Sequence, residues 1–136
     1  MRVILDTGPL VALLNSRDRH HGWAVDQWSR IAPPLRTCES VLAEACFLVQ
    51  PFERGQTAVL DLVRRSVLDA SFQLDDEAGA VSRLLKKYRD VPMSLADGCL
   101  VRMAELDDEG VVLTLDSDFR VYRKNGRQVI PTLSPD

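Results

Sequence analysis

The sequence predicts an α/β protein, a three-layer α/β/α sandwich around a central, mainly parallel sheet. Short apolar runs rich in branched residues stand at residues 1–5 and 111–115, with a further short strand expected at 35–37, and helix-length segments separate them. Strands buried on both faces read as unbroken apolar runs, and helix-length connections let successive strands lie parallel. The length agrees, since 136 residues suit one domain, expected to span residues 1–136. A chain of that size buries a core without a metal or disulfide staple.

Each element has a local reason. Residues 1–5 (Met-Arg-Val-Ile-Leu) form a strand ending at Asp6. Thr7-Gly8-Pro9 then starts a helix, with a small polar cap and a proline in its first turn. It continues to Leu14 and breaks over residues 15–19, a loop that carries Arg17, Arg19, His20 and His21. Trp23, Val25 and Trp28 mark a second helix up to Pro33-Pro34, one indole expected in the core and the other free for a partner. A short strand at 35–37 precedes a helix over 39–49 that Pro51 terminates. Val59, Leu60, Leu62 and Val63 place a helix over 54–67. A brief strand at 71–74 leads into a helix capped by Asp75 and reaching about Arg89. Residues 94–106 form the next helix, and residues 111–115 (Val-Val-Leu-Thr-Leu) the clearest buried strand. After the Asn125-Gly126 turn, residues 127–130 are expected to be a last, short edge strand.

Composition excludes several classes. Hydrophobic residues make up 46% and charged residues 27%, which is globular rather than disordered. Leu10 to Leu14 is far shorter than the roughly 20 residues a bilayer span needs, and Asp6 interrupts the first apolar run too early for a signal peptide. Cys38, Cys46 and Cys99 are odd in number and widely spaced, which excludes a zinc ribbon or disulfide framework and suits a reducing cytoplasm. Cys46 and Cys99, among apolar neighbours, read as small core residues. Seventeen basic against 20 acidic residues give a net charge of −3, not the obvious balance for a nucleic-acid binder.

The placement of the acids is the functional signal. In open α/β sheets, ligands bind outside the carboxyl ends of the strands. Asp6 and Asp116 each follow a strand directly, so parallel neighbours would project both from one sheet edge. Taken singly, each reads equally well as a turn or helix cap. Glu44 shares a face of its helix with Val41, Ala45 and Leu48, which puts it where a core residue belongs unless it is paired or the stripe is rotated into water. Asp97 shares a face with Leu100, Val101 and Ala104, but Ser94-x-x-Asp97 is also a capping-box pattern. The sum, with Asp118 beside Asp116, is a set of acids converging on one edge. Two carboxylates about 4 Å apart repel by about 4 kcal/mol at an effective dielectric of 20, so the cluster calls for a divalent cation. Oxygen-only donors favour Mg²⁺ or Mn²⁺ over Zn²⁺.

Four segments in this order and spacing resemble the PIN-domain family over nearly the whole chain. They are Leu5-Asp6-Thr7-Gly8-Pro9-Leu10, Val41-Leu42-Ala43-Glu44-Ala45, Ser94-Leu95-Ala96-Asp97 and Thr114-Leu115-Asp116-Ser117-Asp118-Phe119. The size is similar to that of VapC-type ribonuclease toxins of VapBC toxin–antitoxin modules. The resemblance implies that Asp6, Glu44, Asp97 and Asp116 are the catalytic, metal-binding acids. Asp118 matches a further acidic metal position, and Thr7 and Thr114 match supporting hydroxyls beside them. It further implies one or two Mg²⁺ or Mn²⁺ ions, RNA hydrolysis to 5′-phosphate and 3′-hydroxyl ends, a cognate antitoxin and a homodimer. Residues 50–90 match no signature.

Arg120, Arg123, Lys124 and Arg127 form a basic cluster with Tyr122 inside it. One reading is an RNA-binding surface on which Tyr122 stacks a base; the other is a solvated loop and an edge strand guarded by positive charge. Rival enzyme classes lose at the residue level: Asp6-Thr7-Gly8 lacks the second acid of a haloacid-dehalogenase-type phosphatase, and the first strand lacks the glutamate of a TOPRIM domain. A non-toxin PIN nuclease in RNA processing, and a binding module with little turnover, stay open as alternatives.

Overall fold

The computed structural model describes residues 1–135. In chain order, β1 (Arg2–Leu5) runs into α1 (Thr7–Leu14) and α2 (His21–Arg30), then β2 (Leu35–Arg36) into α3 (Glu39–Val49) and α4 (Gly55–Arg64). Next come β3 (Leu68–Asp69), α5 (Leu74–Lys87), α6 (Leu95–Leu106) and β4 (Gly110–Leu113). A 3-10 turn at Ser117–Arg120 precedes β5 (Arg123–Lys124), β6 (Gln128–Val129) and β7 (Thr132–Leu133). Five strands form a parallel sheet in the order β3-β2-β1-β4-β7. The α/β/α sandwich predicted from the sequence is therefore what the chain builds.

Strand pleating sorts the core into two halves. Val3, Leu5 and Leu113 face one side, packing with Leu10 of α1, Ala45 and Val49 of α3, and Val59 of α4. Ile4 and Val112 face the other, against Val81 and Leu84 of α5 and Leu100, Val101 and Ala104 of α6. Both faces being covered explains why β1 and β4 read as continuous apolar runs rather than alternating ones. From β1 the chain first builds outward through β2 and β3, then returns to place β4 on the opposite side of β1. That reversal of direction makes a crevice at the carboxyl ends of β1 and β4, where such sheets bind ligands.

Three local expectations are corrected. The helix expected over 54–67 stops at Arg64, because Ser66 takes a left-handed backbone (φ 59°) and turns the chain into β3. Val67 and Leu68 continue the helical apolar series in sequence, so only the pairing of β3 with β2 marks the change. The strand expected at 71–74 is consequently absent; it lies at Leu68–Asp69, and α5 begins at Leu74 with Gln73, not Asp75, as its cap. Asp75 sits in the first turn with Asp76 and Glu77, where negative charge suits the helix dipole. Finally, residues 127–130 do not edge the main sheet. Gln128–Val129 pairs antiparallel with Arg123–Lys124 across a turn with φ of 50° at Asn125 and 89° at Gly126. The sheet edge is instead β7, too short to show as a sequence pattern.

Trp23 and Trp28 are both half-buried against the same core half. All three cysteines are free; Cys38 and Cys99 are buried, and Cys46 is half-buried against the core. No helix among the described residues is long and apolar enough to cross a membrane. Gly55, which opens α4, stands so close to α3 that an added Cβ would lie 2.1 Å from the Val49 carbonyl oxygen. Gly55→Ala is therefore expected to destabilise the fold by about 1–3 kcal/mol, the usual cost of overpacking, read as a lowered urea midpoint.

Candidate active site

A cleft of about 450 Å³ opens at the β1/β4 reversal, lined by Asp6, Thr7, Gly8, Glu44, Leu48, Ser94, Asp97, Leu115 and Asp116. The four acids singled out from the sequence thus share one cleft. Asp118 does not line it; its backbone N–H donates to Asp116 Oδ1 at 2.9 Å and so holds that carboxylate.

Local structure places each acid. Asp6 ends β1, its N–H donating to the Leu113 carbonyl, and caps α1 by accepting from the Thr7 N–H at 2.8 Å. Gly8 lets the first turn of α1 approach Leu115, whose side chain an added Cβ would meet at 3.1 Å. Thr114, at the end of β4, ties the two strand-end acids together. Its hydroxyl donates to Asp6 Oδ2 at 2.6 Å and accepts from the Asp116 N–H at 2.9 Å. Asp97 is both cap and cleft residue. Its N–H donates to Ser94 Oγ at 3.0 Å, the Ser94 N–H donates back to Asp97 Oδ2 at 3.4 Å, and the carboxyl group still lines the cleft.

Glu44 reaches the cleft by a different route from the one its pattern suggests. The buried stripe of α3 is Val41, Ala45 and Val49, rotated so that Glu44 and Leu48 are exposed. Glu44 is a solvent-facing wall of the cleft, not an acid inserted in the core.

The electrostatics set this group apart from the other buried acid in the chain. Asp107 is also buried, and Arg36 (3.1 Å) and Arg2 (3.4 Å) neutralise it. Among the described residues, no ion pair reaches Asp6, Glu44, Asp97 or Asp116. Asp6 is 7% exposed, and burial pushes its carboxyl up to about 6, against the Thr114 and Thr7 hydrogen bonds and with the charges of Asp97 and Asp116 adding to the rise. Burial also raises Asp97, opposed by hydrogen bonds from Tyr122 and Ser94 and helped by Asp116. Glu44 is raised by partial burial and then by the charge of Asp97. Three of the four acids sit at helix or 3-10 N-termini, whose positive ends offset part of this repulsion. For Asp6 the desolvation wins.

Among the described residues, no three His, Cys, Asp or Glu side chains form a ready-made metal cage. An open carboxylate cleft suits Mg²⁺, which keeps several waters and takes only one or two carboxylates directly. The donor set fits a hard cation: it is all oxygen, and it includes Thr7 Oγ1, buried without a hydrogen-bond partner.

The basic cluster resolves differently. Tyr122 is completely buried (0% exposed) and cannot stack a base. Lys124 is buried too, and Arg123 spends its guanidinium on the carbonyls of Arg120, Val121 and Tyr122. Arg120 and Arg127 stay exposed. What the sequence missed is the role of Tyr122, whose hydroxyl donates to Asp97 Oδ2 at 3.0 Å. Burial and the Asp97 charge push that phenol well above its usual range, so it keeps its proton. No local pattern announces a contact across 25 residues.

The PIN domain family model matches residues 3–125 of this chain. The chain belongs to the PIN domain family. Solved structures share its architecture. The Mycobacterium tuberculosis toxin VapC20, described as cleaving the sarcin-ricin loop, aligns with a TM-score of 0.76 at 24% identity over 88% of this chain and 93% of that one. VapBC2 from Rickettsia felis, bound to a DNA fragment from its promoter, aligns at 0.67 and 13% identity over the full length of both. No curated protein matches in sequence.

Proposed function

We propose that this PIN domain, residues 1–136, is a divalent-metal-dependent endoribonuclease and the toxin of a toxin–antitoxin pair. The observation that supports it most is the cleft at the sheet reversal, where four acids meet without an ion-paired cation among the described residues, while the buried acid elsewhere has two. An arrangement that costs stability is retained where chemistry needs it. Asp6, Glu44, Asp97 and Asp116 would hold one or two Mg²⁺ or Mn²⁺ ions. A bound ion would activate water and offset the charge of the scissile phosphate.

The protein's own part is positioning. Thr114 fixes the separation of Asp6 and Asp116, the Ser94 box fixes Asp97, and the Asp118 N–H fixes Asp116. Attack by water in line with the leaving 3′-oxygen yields a 5′-phosphate and a 3′-hydroxyl, and it has no need of the 2′-hydroxyl. Preference for RNA then lies in binding, for which the exposed Arg120 ends the site's 3-10 turn and Arg127 is exposed on the following hairpin. The solved toxin and toxin–antitoxin complex that share this fold support the toxin role. The toxin–antitoxin complex also supports an antitoxin partner, and a homodimer in the cytoplasm belongs to the same proposal.

The test is incubation of total RNA with the purified protein in Mg²⁺, Mn²⁺ or EDTA, with product ends mapped. Cleavage in either metal, none in EDTA, and 5′-phosphate ends are expected. Cleavage that persists in EDTA and leaves cyclic phosphates would overturn the metal mechanism. RNA affinity retained in EDTA with no products would make the domain a binding module.

A further inference from the structure

We propose that Tyr122 is a positioning residue for the acid cleft: its hydroxyl selects which oxygen of Asp97 faces the metal. This rests on the functional reading above, since it concerns how one of the proposed ligands is presented. Asp97 makes two hydrogen bonds through its carboxylate, from the Tyr122 hydroxyl (3.0 Å) and the Ser94 N–H (3.4 Å), and both land on Oδ2. Among the described residues no hydrogen bond is made to Oδ1, and the residue, which lines the cleft, is only 8% exposed. The shorter of the two bonds is the one from Tyr122, so the phenol is the main restraint on rotation of the carboxylate.

The surroundings hold the phenol itself in place. Tyr122 packs edge-on against Tyr88 (ring centroids 5.1 Å apart) and Phe119 (5.2 Å), and it is fully buried. The β5–β6 hairpin that follows is stapled to the helices on this face. The Asn125 N–H donates to Glu105 of α6 at 2.8 Å, Lys87 of α5 donates to the Gly126 carbonyl at 2.8 Å, and the Arg123 N–H donates to the Tyr88 hydroxyl at 2.8 Å. The segment that reads in sequence as a basic nucleic-acid surface is thus a clamp that delivers one hydroxyl to one carboxylate. Groups that orient metal ligands in this way typically account for 10–100-fold in metal affinity or activity.

Tyr122→Phe removes the hydroxyl and keeps the ring. Met103→Ala is the control, trimming the same core half at an α6 side chain that takes no part in the clamp. Mn²⁺ binding is measured by titration calorimetry without RNA, alongside metal-free melting curves and the kcat and KM of RNA cleavage. We expect Tyr122→Phe to weaken Mn²⁺ binding about tenfold, to need correspondingly more Mn²⁺ for half-maximal cleavage, and to leave KM for RNA unchanged. Met103→Ala should melt lower but bind Mn²⁺ as the wild type does. Wild-type Mn²⁺ affinity in Tyr122→Phe, with binding lost in Asp97→Asn, would overturn the positioning role alone. Equal weakening in Tyr122→Phe and Met103→Ala would also overturn it, as a packing effect. Unchanged Mn²⁺ binding in Asp97→Asn would instead remove the metal reading of the cleft, and this inference with it.

Discussion

Asp97→Asn is expected to lower RNA cleavage by more than 100-fold while leaving the metal-free protein folded. The magnitude follows from rank: residues that only support a metal ligand cost up to about 100-fold, and a ligand costs more. The fold is spared for a structural reason. The helix cap that Asp97 completes depends chiefly on its own N–H donating to Ser94 Oγ, which the substitution does not touch. An asparagine carbonyl can still accept from Tyr122 and Ser94, so the buried hydroxyl keeps a partner. What disappears is charge, and with it the ability to help hold a cation. Mn²⁺ at millimolar concentration should therefore raise the melting temperature of the wild type more than that of the variant. A variant that unfolds, with activity lost only because structure is lost, would show that Asp97 is a cap and nothing more.

Metal-free stability is expected to fall as pH rises from about 4 to about 6, and Asp6→Asn should abolish most of that fall. The folded protein holds the Asp6 proton up to about 6, whereas the unfolded chain releases it near the ordinary value of 3.8. Between those values the folded state binds more protons, so raising pH works against folding. The favourable contribution is complete below 3.8 and gone above about 6. At about 1.4 kcal/mol per tenfold change in proton affinity, the ionised carboxyl costs the metal-free fold about 3 kcal/mol at neutral pH. Asp97 and Glu44 are raised as well and push in the same direction. Melting curves at pH 4 and pH 7.5 should show Asp6→Asn gaining on the wild type at the higher pH, by on the order of 10 °C. A constant gap at both pH values would mean that Asp6 is not held in its protonated form by the fold. Metal reverses the trend, because ligands must be deprotonated to bind it, so cleavage should decline on the acid side of about pH 6.

These two residues also show how far the sequence is legible. Asp6 and Asp116 could be placed because a buried parallel strand announces itself as an apolar run, and the residue after it must emerge at the sheet edge. Asp97 could be placed at a helix start because the Ser94-x-x-Asp97 pattern is local. Helical spacing singles out Glu44 but assigns it to the core, whereas the residue is exposed. The rotation of α3 about its axis, set by how it packs on α1 and α4, decides whether that position faces the core or the cleft.

Elsewhere, too, tertiary pairing overrides the local pattern. Val67 and Leu68 obey the helical period, but Ser66 turns left-handed and the chain joins the sheet. Thr132–Leu133 carries no strand pattern in two residues; it exists because β4 offers a free edge. The basic run from Arg120 to Arg127 looked solvent-facing because charge usually is, and the fold instead buries Tyr122 and Lys124 within it.

By itself, the sequence determined the layered α/β architecture, the order of most elements, the four acids and their oxygen-only chemistry. Each of these follows from hydrophobic period or from residues adjacent in the chain. Only the tertiary structure decided that the acids share one cleft with no ion pair to them among the described residues, that Thr114 bridges Asp6 and Asp116, and that Tyr122 reaches Asp97 across 25 residues. Those contacts join segments far apart in sequence, where no periodicity links one partner to the other and packing alone brings them together.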